Sequence, residues 1–309
     1  MEKVAVIGAG NVGATTAHLI AQKSLADVVM VDIAPGLAKG KALDIMQALV
    51  AQGLSTAVEG SDDFEDIKSS SLVIVTAGLP RGPGMSRTDL LEKNAAIVSE
   101  VVEKIRDYAP DSKILVVTNP LDEMTCLALK QSGFDRKRVF GMGGALDSAR
   151  FAYFISKELG VGPRGISALV IGSHGDRMLP LPRLSTVSDT PLAELLSRAK
   201  IDEIIERTRQ GGAEIVSYLK RGSALYAPAT VVTRMAQAVL LDTGGVLSCS
   251  VSLDGEYGLR DACLSVPVRL GKNGVEEIIE LPLSPEEVEV LHRSAEEIKT
   301  SVESVKASP

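Results

Sequence analysis

The first half of the chain alternates short apolar runs with longer amphipathic stretches. The short runs are rich in Val and Ile and predict β-strands at residues 4–7, 28–32, 72–76, 114–118 and 139–142. The stretches between them have the length and period of helices, at residues 12–22, 37–52, 87–108 and 121–131. Alternating strands and helices predict a doubly wound α/β domain built on a parallel sheet.

After about Gly143 the pattern becomes that of a mixed α+β region. A further helix is followed by a strand, by two or three helices and by two paired strands; the strands fall at residues 166–171, 247–253 and 263–271. Ser284, Pro285 and Glu287 have the spacing of a helix cap, a first helical residue and the second half of a capping box. They predict a last helix that runs to about Val305.

Composition and charge limit the classes of function. No low-complexity linker separates the two halves, so we predict two closely packed domains, residues 1–143 and 144–309. The 33 basic and 40 acidic residues give a net charge of −7, which lacks the basic footprint of a nucleic-acid-binding protein. The three cysteines are widely spaced and match no zinc motif. Neither a membrane span nor a signal peptide is recognisable, so we expect a cytoplasmic protein.

A glycine-rich turn follows the first predicted strand and opens the first predicted helix. Its residues are Gly8, Ala9, Gly10, Asn11, Val12 and Gly13. Glycines at this spacing allow a tight bend, close approach of a pyrophosphate and close packing of helix on strand. Asp32 ends the second predicted strand, where a carboxylate can bind the adenosine ribose and repel a 2′-phosphate. We therefore predict NAD as the cofactor; the alternative is an incidental glycine turn and Asp in another kind of α/β protein.

One of the three histidines has the position expected of a catalytic base. His174 directly follows a predicted strand in a glycine-flanked loop, whereas His18 and His292 lie within predicted helices. When an alcohol is oxidised by hydride transfer, its hydroxyl proton must also leave, and an imidazole can accept it near neutral pH. His174 is therefore the predicted proton acceptor, with a buried carboxylate such as Asp147 as its partner.

Five segments resemble the lactate/malate dehydrogenase family, and the resemblance extends over essentially the whole chain. They are residues 8–13, 81–90, 119–120, 146–150 and 173–176. The resemblance implies that His174 accepts the substrate proton, that Asp147 orients it, and that Arg150 clamps the substrate carboxylate. A planar guanidinium suits that last role because it can form two parallel hydrogen bonds with a carboxylate. The alternative for Asp147 and Arg150 is an i,i+3 ion pair at the surface.

A loop rich in glycine and proline, residues 78–87, resembles the family's substrate lid. By this resemblance, Arg87 polarises the substrate carbonyl and Arg81 contacts the remainder of the substrate. A cation at Arg81 favours a substrate with a second carboxylate, so malate and oxaloacetate are expected rather than lactate and pyruvate. The alternative for Arg81 is a solvated loop arginine.

The resemblance also implies further contacts and an assembly. Asn119 is similar to the amide that touches the nicotinamide ribose or the substrate, although a turn former at a strand end is the alternative. Asn94 and Thr118 are predicted, with Asn119, to contact the cofactor. Ser173 departs from the family pattern, in which glycine often precedes the histidine. A homo-oligomer, either a dimer or a tetramer, is expected.

Three other functions remain open at this point. A lactate dehydrogenase or another 2-hydroxy acid dehydrogenase would differ in what fills the Arg81 subsite. An NAD- and metal-dependent glycosidase would need a cluster of Cys and His ligands that the sequence does not contain. A nucleotide-binding scaffold without catalysis would not need His174, Asp147, Arg150 and Arg87 together.

Overall fold

The elements alternate along the first half of the chain in the predicted way. The computed structural model describes residues 2–80, 85–220 and 222–306, apart from the side chains of Arg87 and Lys306. The strands are β1 Lys3–Ile7, β2 Asp27–Val31, β3 Val58–Ser61, β4 Leu72–Val75, β5 Lys113–Val116, β6 Val139–Gly141, β7 Ile166–Ser167, β8 Val170–Gly172, β9 Met178–Pro180, β10 Thr186–Val187, β11 Thr190–Pro191, β12 Gly245–Asp254, β13 Arg260–Gly271 and β14 Gly274–Ile278. The helices are α1 Asn11–Gln22, α2 Leu37–Ala51, α3 Arg87–Tyr108, α4 Leu121–Ser132, α5 Gly144–Leu159, α6 Leu192–Leu195, α7 Arg198–Leu219, α8 Tyr226–Leu240 and α9 Pro285–Lys306.

Parallel strands in the order β3-β2-β1-β4-β5-β6 form the first part of a large sheet. This is the order of a Rossmann fold, and the predicted doubly wound α/β architecture is confirmed. The strand order reverses between β1 and β4. Loops at the carboxyl ends of the strands therefore open a crevice there, which is where such folds bind nucleotides.

The second half of the chain extends the same sheet with antiparallel strands. β12 pairs with β6, with Ser250 opposite Gly141, and then with β13 along most of its length. β13 also pairs with β8 and β14. The predicted α+β character of the second half is confirmed, and the two halves of the chain share one hydrogen-bonded sheet.

The parallel strands are buried on both faces, as their continuous apolar runs predict. Alternate residues of β1 point to opposite faces, so Val4 and Val6 belong to one apolar cluster and Ala5 and Ile7 to another. Residues of α1 and α8 pack in the first cluster, and residues of α3 pack in the second. Helices on both faces thus hold the strand ends, and the loops that follow them, in fixed positions.

The strand predicted at residues 166–171 was wrong as a single element. The structure has β7 and β8 there, in different sheets. Side chains interrupt the run, because Leu169 N donates to Ser185 Oγ at 3.2 Å and Val170 N donates to Ser148 Oγ at 3.0 Å. β3 and β14 were not predicted. They are short and contain Glu and Gly, so pairing with β2 and β13 rather than an apolar run determines them.

The predicted cap of the last helix is confirmed. Glu287 N donates to Ser284 Oγ at 3.3 Å, and Ser284 N donates to Glu287 Oε2 at 2.8 Å, which together make a capping box. α9 then runs from Pro285 to Lys306. Neither α9 nor any other helix within the described residues is long and apolar enough to cross a membrane.

Candidate active site

The turn between β1 and α1 contains two kinds of glycine. Gly8 has a φ of +100°, and a Cβ on Gly13 would lie 1.9 Å from the carbonyl oxygen of Gly8. A Cβ on Gly10, in contrast, would meet no atom within 4 Å. The packing of the protein itself therefore requires Gly8 and Gly13. Gly10 leaves an open cradle at the N-terminus of α1, where main-chain donors and the helix dipole favour an anion.

Asp32 and Thr76 hold this turn between two strand ends. Asp32 follows β2, and its Oδ2 accepts a hydrogen bond from Ala9 N at 2.7 Å. Thr76 follows β4 and donates its hydroxyl to Gly8 O at 2.9 Å. The turn thus offers an open cradle for a pyrophosphate and, at the end of β2, a carboxylate for ribose hydroxyls. This arrangement fits a dinucleotide.

The remaining residues of the predicted turn lie at the start of α1. Asn11 begins the helix and is exposed, whereas Val12 is partly buried against the apolar core. Only Asn11 therefore has a side chain that is open to solvent here. Val12 supports the turn by packing.

Asn94 and Thr118 fix the base of the loop that follows β4. The buried Asn94 side chain accepts from Leu79 N at 2.7 Å and donates to Leu79 O at 3.1 Å and to Asn119 O at 2.6 Å. Thr118 donates its hydroxyl to a main-chain carbonyl of the same loop at 2.6 Å. Asn119 has an exposed side chain at the carboxyl end of β5, and its peptide bond to Pro120 is cis. Asn94 and Thr118 thus bind main-chain atoms, while the amide of Asn119 is accessible.

Asp147 joins His174 to Arg150. It lies in the first turn of α5 and is 1% exposed. Its Oδ2 is 2.8 Å from His174 Nδ1, and its Oδ1 accepts from Arg150 Nη1 at 3.2 Å. A carboxylate can only accept, so the hydrogen lies on Nδ1 and leaves Nε2 of the neutral imidazole as the basic nitrogen. With side chains 1% and 16% exposed, Asp147 and Arg150 are not a surface ion pair.

His174 has the electrostatic surroundings of a proton acceptor. Burial lowers its pKa, but the charge and hydrogen bond of Asp147, followed by the charge of Asp122, outweigh burial and raise the pKa above its ordinary value. The nearby Arg150 opposes this effect. His292 Nε2 instead lies 2.9 Å from the carbonyl oxygen of Tyr257, outside this cluster. The structure thus brings together His174, Asp147 and Arg150, as predicted.

Arg150 retains donors that Asp147 does not use. Its Nε is buried and has no hydrogen-bond partner among the described residues. A buried donor without a partner costs free energy, which favours an anionic ligand beside it. Gly211 and Gly212 of α7 face this side chain, since a Cβ on either would lie 3.4 or 3.6 Å from Arg150 atoms. The sequence analysis missed these two glycines; a glycine pair inside a helical pattern was the available signal.

Asp122 and Ser250 were also missed, and both lie next to His174. Asp122 lies in the first turn of α4, is 1% exposed, and accepts from His174 N at 2.7 Å and from Ser250 Oγ at 2.6 Å. A charged residue three positions after Asn119, in a mostly apolar stretch, was the available signal for Asp122. Nothing in the local sequence marks Ser250, because its position depends on the pairing of β12 with β6.

Two predicted residues of the lid cannot be placed in the site. Arg81 lies outside the described residues, as does the side chain of Arg87, whose main chain begins α3. The start of that helix is well defined. Asp89 N donates to Ser86 Oγ, and Ser86 N donates to Asp89 Oδ2, both at 3.0 Å. The roles of Arg81 and Arg87 stay predictions.

Comparisons with known proteins match the chain along its length. Residues 2–141 match the model of the lactate/malate dehydrogenase NAD binding domain, and residues 144–308 match that of the alpha/beta C-terminal domain. A malate dehydrogenase of Methanosarcina mazei is 50% identical over 302 residues, covering 98% of both chains. The crystal structure of Cryptosporidium parvum malate dehydrogenase has a TM-score of 0.96 at 42% identity and covers 99% of both chains.

A lactate dehydrogenase is equally similar in structure. The enzyme from Cryptosporidium parvum, solved in complex with lactic acid and nicotinamide adenine dinucleotide, has a TM-score of 0.96 at 40% identity. The alignment covers 100% of this chain and 99% of that one. Similarity of the backbone therefore does not by itself separate the two substrates.

Proposed function

The chain belongs to the lactate/malate dehydrogenase family, and we infer its function from this membership together with the geometry of the site. It is an oxidoreductase, and its cofactor is NAD. We propose that it catalyses the reversible oxidation of (S)-malate to oxaloacetate. The observation that carries this proposal is the buried cluster of His174, Asp147 and Arg150. In the division of labour that we propose, residues 1–143 hold NAD, and residues 144–309 supply the proton acceptor and the carboxylate clamp.

The side chains of the cluster have complementary roles in the proposed reaction. The glycine turn and Asp32 would hold NAD, which would supply the acceptor for the hydride that leaves C2 of malate. His174 removes the hydroxyl proton at Nε2, so that the C2–O bond becomes a carbonyl, and returns the proton in the reverse direction. Asp147 keeps the hydrogen on Nδ1 and stabilises the imidazolium that forms. Arg150 binds the C1 carboxylate with the donors that Asp147 leaves unused. By the family resemblance, Arg87 polarises the C2 oxygen.

Arg81 supports malate rather than lactate as the substrate. A second carboxylate on the substrate would pair with its guanidinium, whereas a methyl group would leave the cation without a partner. Two relatives that are 50% and 48% identical to this chain are named malate dehydrogenase, which supports the same substrate. Lactate dehydrogenase is the second candidate, since a solved enzyme with that name shares the whole fold.

A substrate comparison tests the proposal. NADH oxidation is measured with oxaloacetate and with pyruvate, for the wild type, for Arg81→Gln and for Arg164→Gln, an exposed loop arginine that serves as the control. We expect the wild type to prefer oxaloacetate. The preference should fall at least about tenfold in Arg81→Gln, because hydrogen bonds to charged groups contribute roughly 1.5–3 kcal/mol. Arg164→Gln should keep the wild-type ratio.

Each other result of this comparison has a definite meaning. Preference of the wild type for pyruvate would identify a lactate dehydrogenase. Turnover of neither substrate, with NADH bound, would favour the non-catalytic scaffold. An unchanged ratio in Arg81→Gln would leave malate as the substrate but remove Arg81 as the selecting residue.

We also propose that the chain forms a homo-oligomer, either a dimer or a tetramer. Leu43 and Val50 lie seven residues apart on α2, hence on nearly the same face, and are 62% and 67% exposed. Tyr218, Leu219 and Tyr226, around the end of α7 and the start of α8, are also exposed. Apolar side chains grouped on helix surfaces in this way are typical of protein interfaces.

A further inference from the structure

A buried acid connects the two halves of the chain at the position of His174. Asp122 belongs to α4, which follows Asn119 directly, while His174 and Ser250 come from the second half of the chain. The carboxylate accepts from the His174 main chain at 2.7 Å and from the Ser250 hydroxyl at 2.6 Å. Asp122 therefore accepts from the main-chain N–H of His174, whereas Asp147 binds the imidazole ring.

A third polar group near Asp122 comes from a residue that departs from the family pattern. The hydroxyl of Ser173, where glycine often precedes the histidine, lies close enough to lower the pKa of the Asp122 carboxyl. Burial acts more strongly and raises this pKa above its ordinary value, although the hydrogen bonds from Ser250 and from the His174 main chain also oppose burial. The first turn of α4 adds a favourable helix dipole for an anion. These groups favour the ionised form of the buried carboxylate.

The same region is tied to the cofactor side of the crevice. Asn94 donates to Asn119 O at 2.6 Å and bonds both main-chain groups of Leu79. Three residues after Asn119, Asp122 accepts from His174 N. Hydrogen bonds and a short main-chain segment thus run from the loop after β4, past Asn119, to the proton acceptor.

We propose that Asp122 is a positioning residue: it clamps the main chain of His174 to the cofactor-binding half of the protein, and its negative charge favours the protonated imidazole. The inference rests on the proposed function only in the role that it gives to His174. An ionised Asp122 interacts strongly with the imidazole of His174, the residue whose main chain donates to it, because the local dielectric constant is low. The clamp keeps Nε2 in place for the substrate while Asp147 holds the other ring nitrogen.

The other charged and titratable groups around His174 do not duplicate this role. Asp147 and Arg150 reach the imidazole from α5. In the loop of His174 itself, Arg177 pairs with Glu297 of α9. Asp176 lies in the same loop and is exposed.

Two buried thiols also lie near Asp122. Cys263 of β13 lies close enough to Asp122 and to Cys126 of α4 for both groups to raise the pKa of its thiol. Burial raises the pKa of Cys263 well above its ordinary value, so its thiol stays neutral near pH 7. Asp122 is thus a buried acid of α4 whose charge acts on His174.

The titration of His174 tests the proposal directly. NMR spectra of the histidine rings are recorded against pH for the wild type, Asp122→Asn and Ser112→Ala, with His174→Ala to assign the signal among the three histidines. We expect the midpoint of His174 to move to lower pH in Asp122→Asn, because a negative charge is lost. This readout needs no turnover, so it remains decisive even if malate is not the substrate.

Kinetics provide the second readout. In the wild type, kcat/KM for oxidation of the hydroxy acid should rise with pH as His174 loses its proton. In Asp122→Asn this limb should move to lower pH, and kcat should fall about tenfold to a hundredfold, the cost of a misplaced catalytic group. KM should change less than kcat. A general loss of folding would instead lower NADH binding and the melting temperature together.

Ser250→Ala keeps the test decisive if Asp122→Asn does not fold. It removes one of the donors that favour the ionised form of Asp122, so a larger fraction of this carboxyl is protonated. The His174 midpoint should therefore shift in the same direction as in Asp122→Asn, by a smaller amount. Ser112→Ala is the matched control, because it also removes a buried hydroxyl. Ser112 precedes β5, at the amino ends of the parallel strands, whereas Asp122 lies beyond their carboxyl ends. A folded Asp122→Asn variant with the wild-type titration and kcat would overturn the proposal. So would Ser250→Ala and Ser112→Ala variants with identical titrations.

Discussion

His174 has one partner for its ring Nδ1 and another for its main-chain N–H. Asp147 binds Nδ1, and Asp122 binds the main-chain N–H. Because each partner is 1% exposed, water does not compete for these contacts. A ring fixed at these two points leaves Nε2 as the group that can exchange a proton with a ligand. The residue-scale predictions concern that nitrogen and its titration.

Replacing His174 should remove the proton acceptor without removing the cofactor site. We expect His174→Ala to lower kcat by roughly 10²–10⁴-fold, the usual contribution of general acid–base catalysis. NADH affinity, measured by fluorescence titration, should stay close to the wild-type value, because the glycine turn and Asp32 are intact. His292→Gln serves as the control, since His292 contacts the Tyr257 carbonyl elsewhere. Wild-type turnover of His174→Ala would contradict the assignment of the base.

The pH dependence should reveal the effect of Asp147 on His174. Oxidation of the hydroxy acid needs the neutral imidazole, so its kcat/KM should rise as pH passes upward through the pKa of His174. Reduction of the keto acid needs the imidazolium and should fall over the same range. Asp147 raises this pKa, so Asp147→Asn should move both limbs to lower pH. Limbs that stay in place in pH-rate profiles of this variant would exclude His174 as the titrating group.

At the scale of elements, the turn between β1 and α1 separates packing from binding. Gly13 allows α1 to approach the Gly8 carbonyl, whereas a Cβ added to Gly10 would have no protein atom within 4 Å. Two glycines of one motif therefore have different physical reasons. The sequence pattern alone gives them the same weight.

A matched pair of alanine variants tests this difference. Gly13→Ala should lower the melting temperature, because overpacking against a fixed main-chain atom costs about 1–3 kcal/mol. Gly10→Ala should keep the wild-type stability, since the φ of −64° at Gly10 suits any residue, yet weaken NADH binding at least about tenfold, or roughly 1.4 kcal/mol. Thermal melts and NADH titrations measure the two effects. Equal NADH affinity in Gly10→Ala and the wild type would refute the proposed cradle.

At the scale of the whole molecule, the sheet joins the cofactor half to the half that carries His174. β6 is the last strand of the parallel part. β12 extends the sheet in the antiparallel direction, with Ser250 paired to Gly141. Because Ser250 also donates to Asp122, the strand that joins the halves also supports the site. The outer face of α2, which carries Leu43 and Val50, is exposed.

The exposed face of α2 gives a prediction about assembly. A Leu43→Glu, Val50→Glu double variant should shift the protein to a lower oligomeric state, because two charges would have to be buried in an apolar contact. Val161→Glu is the control, as Val161 is an exposed apolar residue in a loop beyond α5. Light scattering coupled to size-exclusion chromatography measures the mass. An unchanged oligomer in the double variant would place the interface elsewhere.

Local sequence was sufficient for the order of the elements and for much of the site. The parallel strands are apolar runs, α9 begins at its predicted cap, and the glycine turn lies between β1 and α1. His174 and Asp147 were predicted and lie 2.8 Å apart. The glycine-flanked loop predicted His174 as the base, with a carboxylate such as Asp147 as its partner, whereas the family resemblance supplied the role of Arg150. The exact domain boundary and the roles of Arg81 and Arg87 stay predictions.

Only the tertiary structure revealed Asp122, Ser250 and the supporting glycines of α7. Helix period and turn chemistry are encoded within a few neighbouring residues, so the sequence by itself determined the apolar strands, the long helices and the cap of α9, but not β3 and β14. Asp122 meets His174 across 52 positions and Ser250 across 128. No local pattern encodes such contacts, because they arise when strands pair and helices pack against them. The chain thus specified most of its elements and its glycine turn locally, while the fold decided which buried polar groups surround His174.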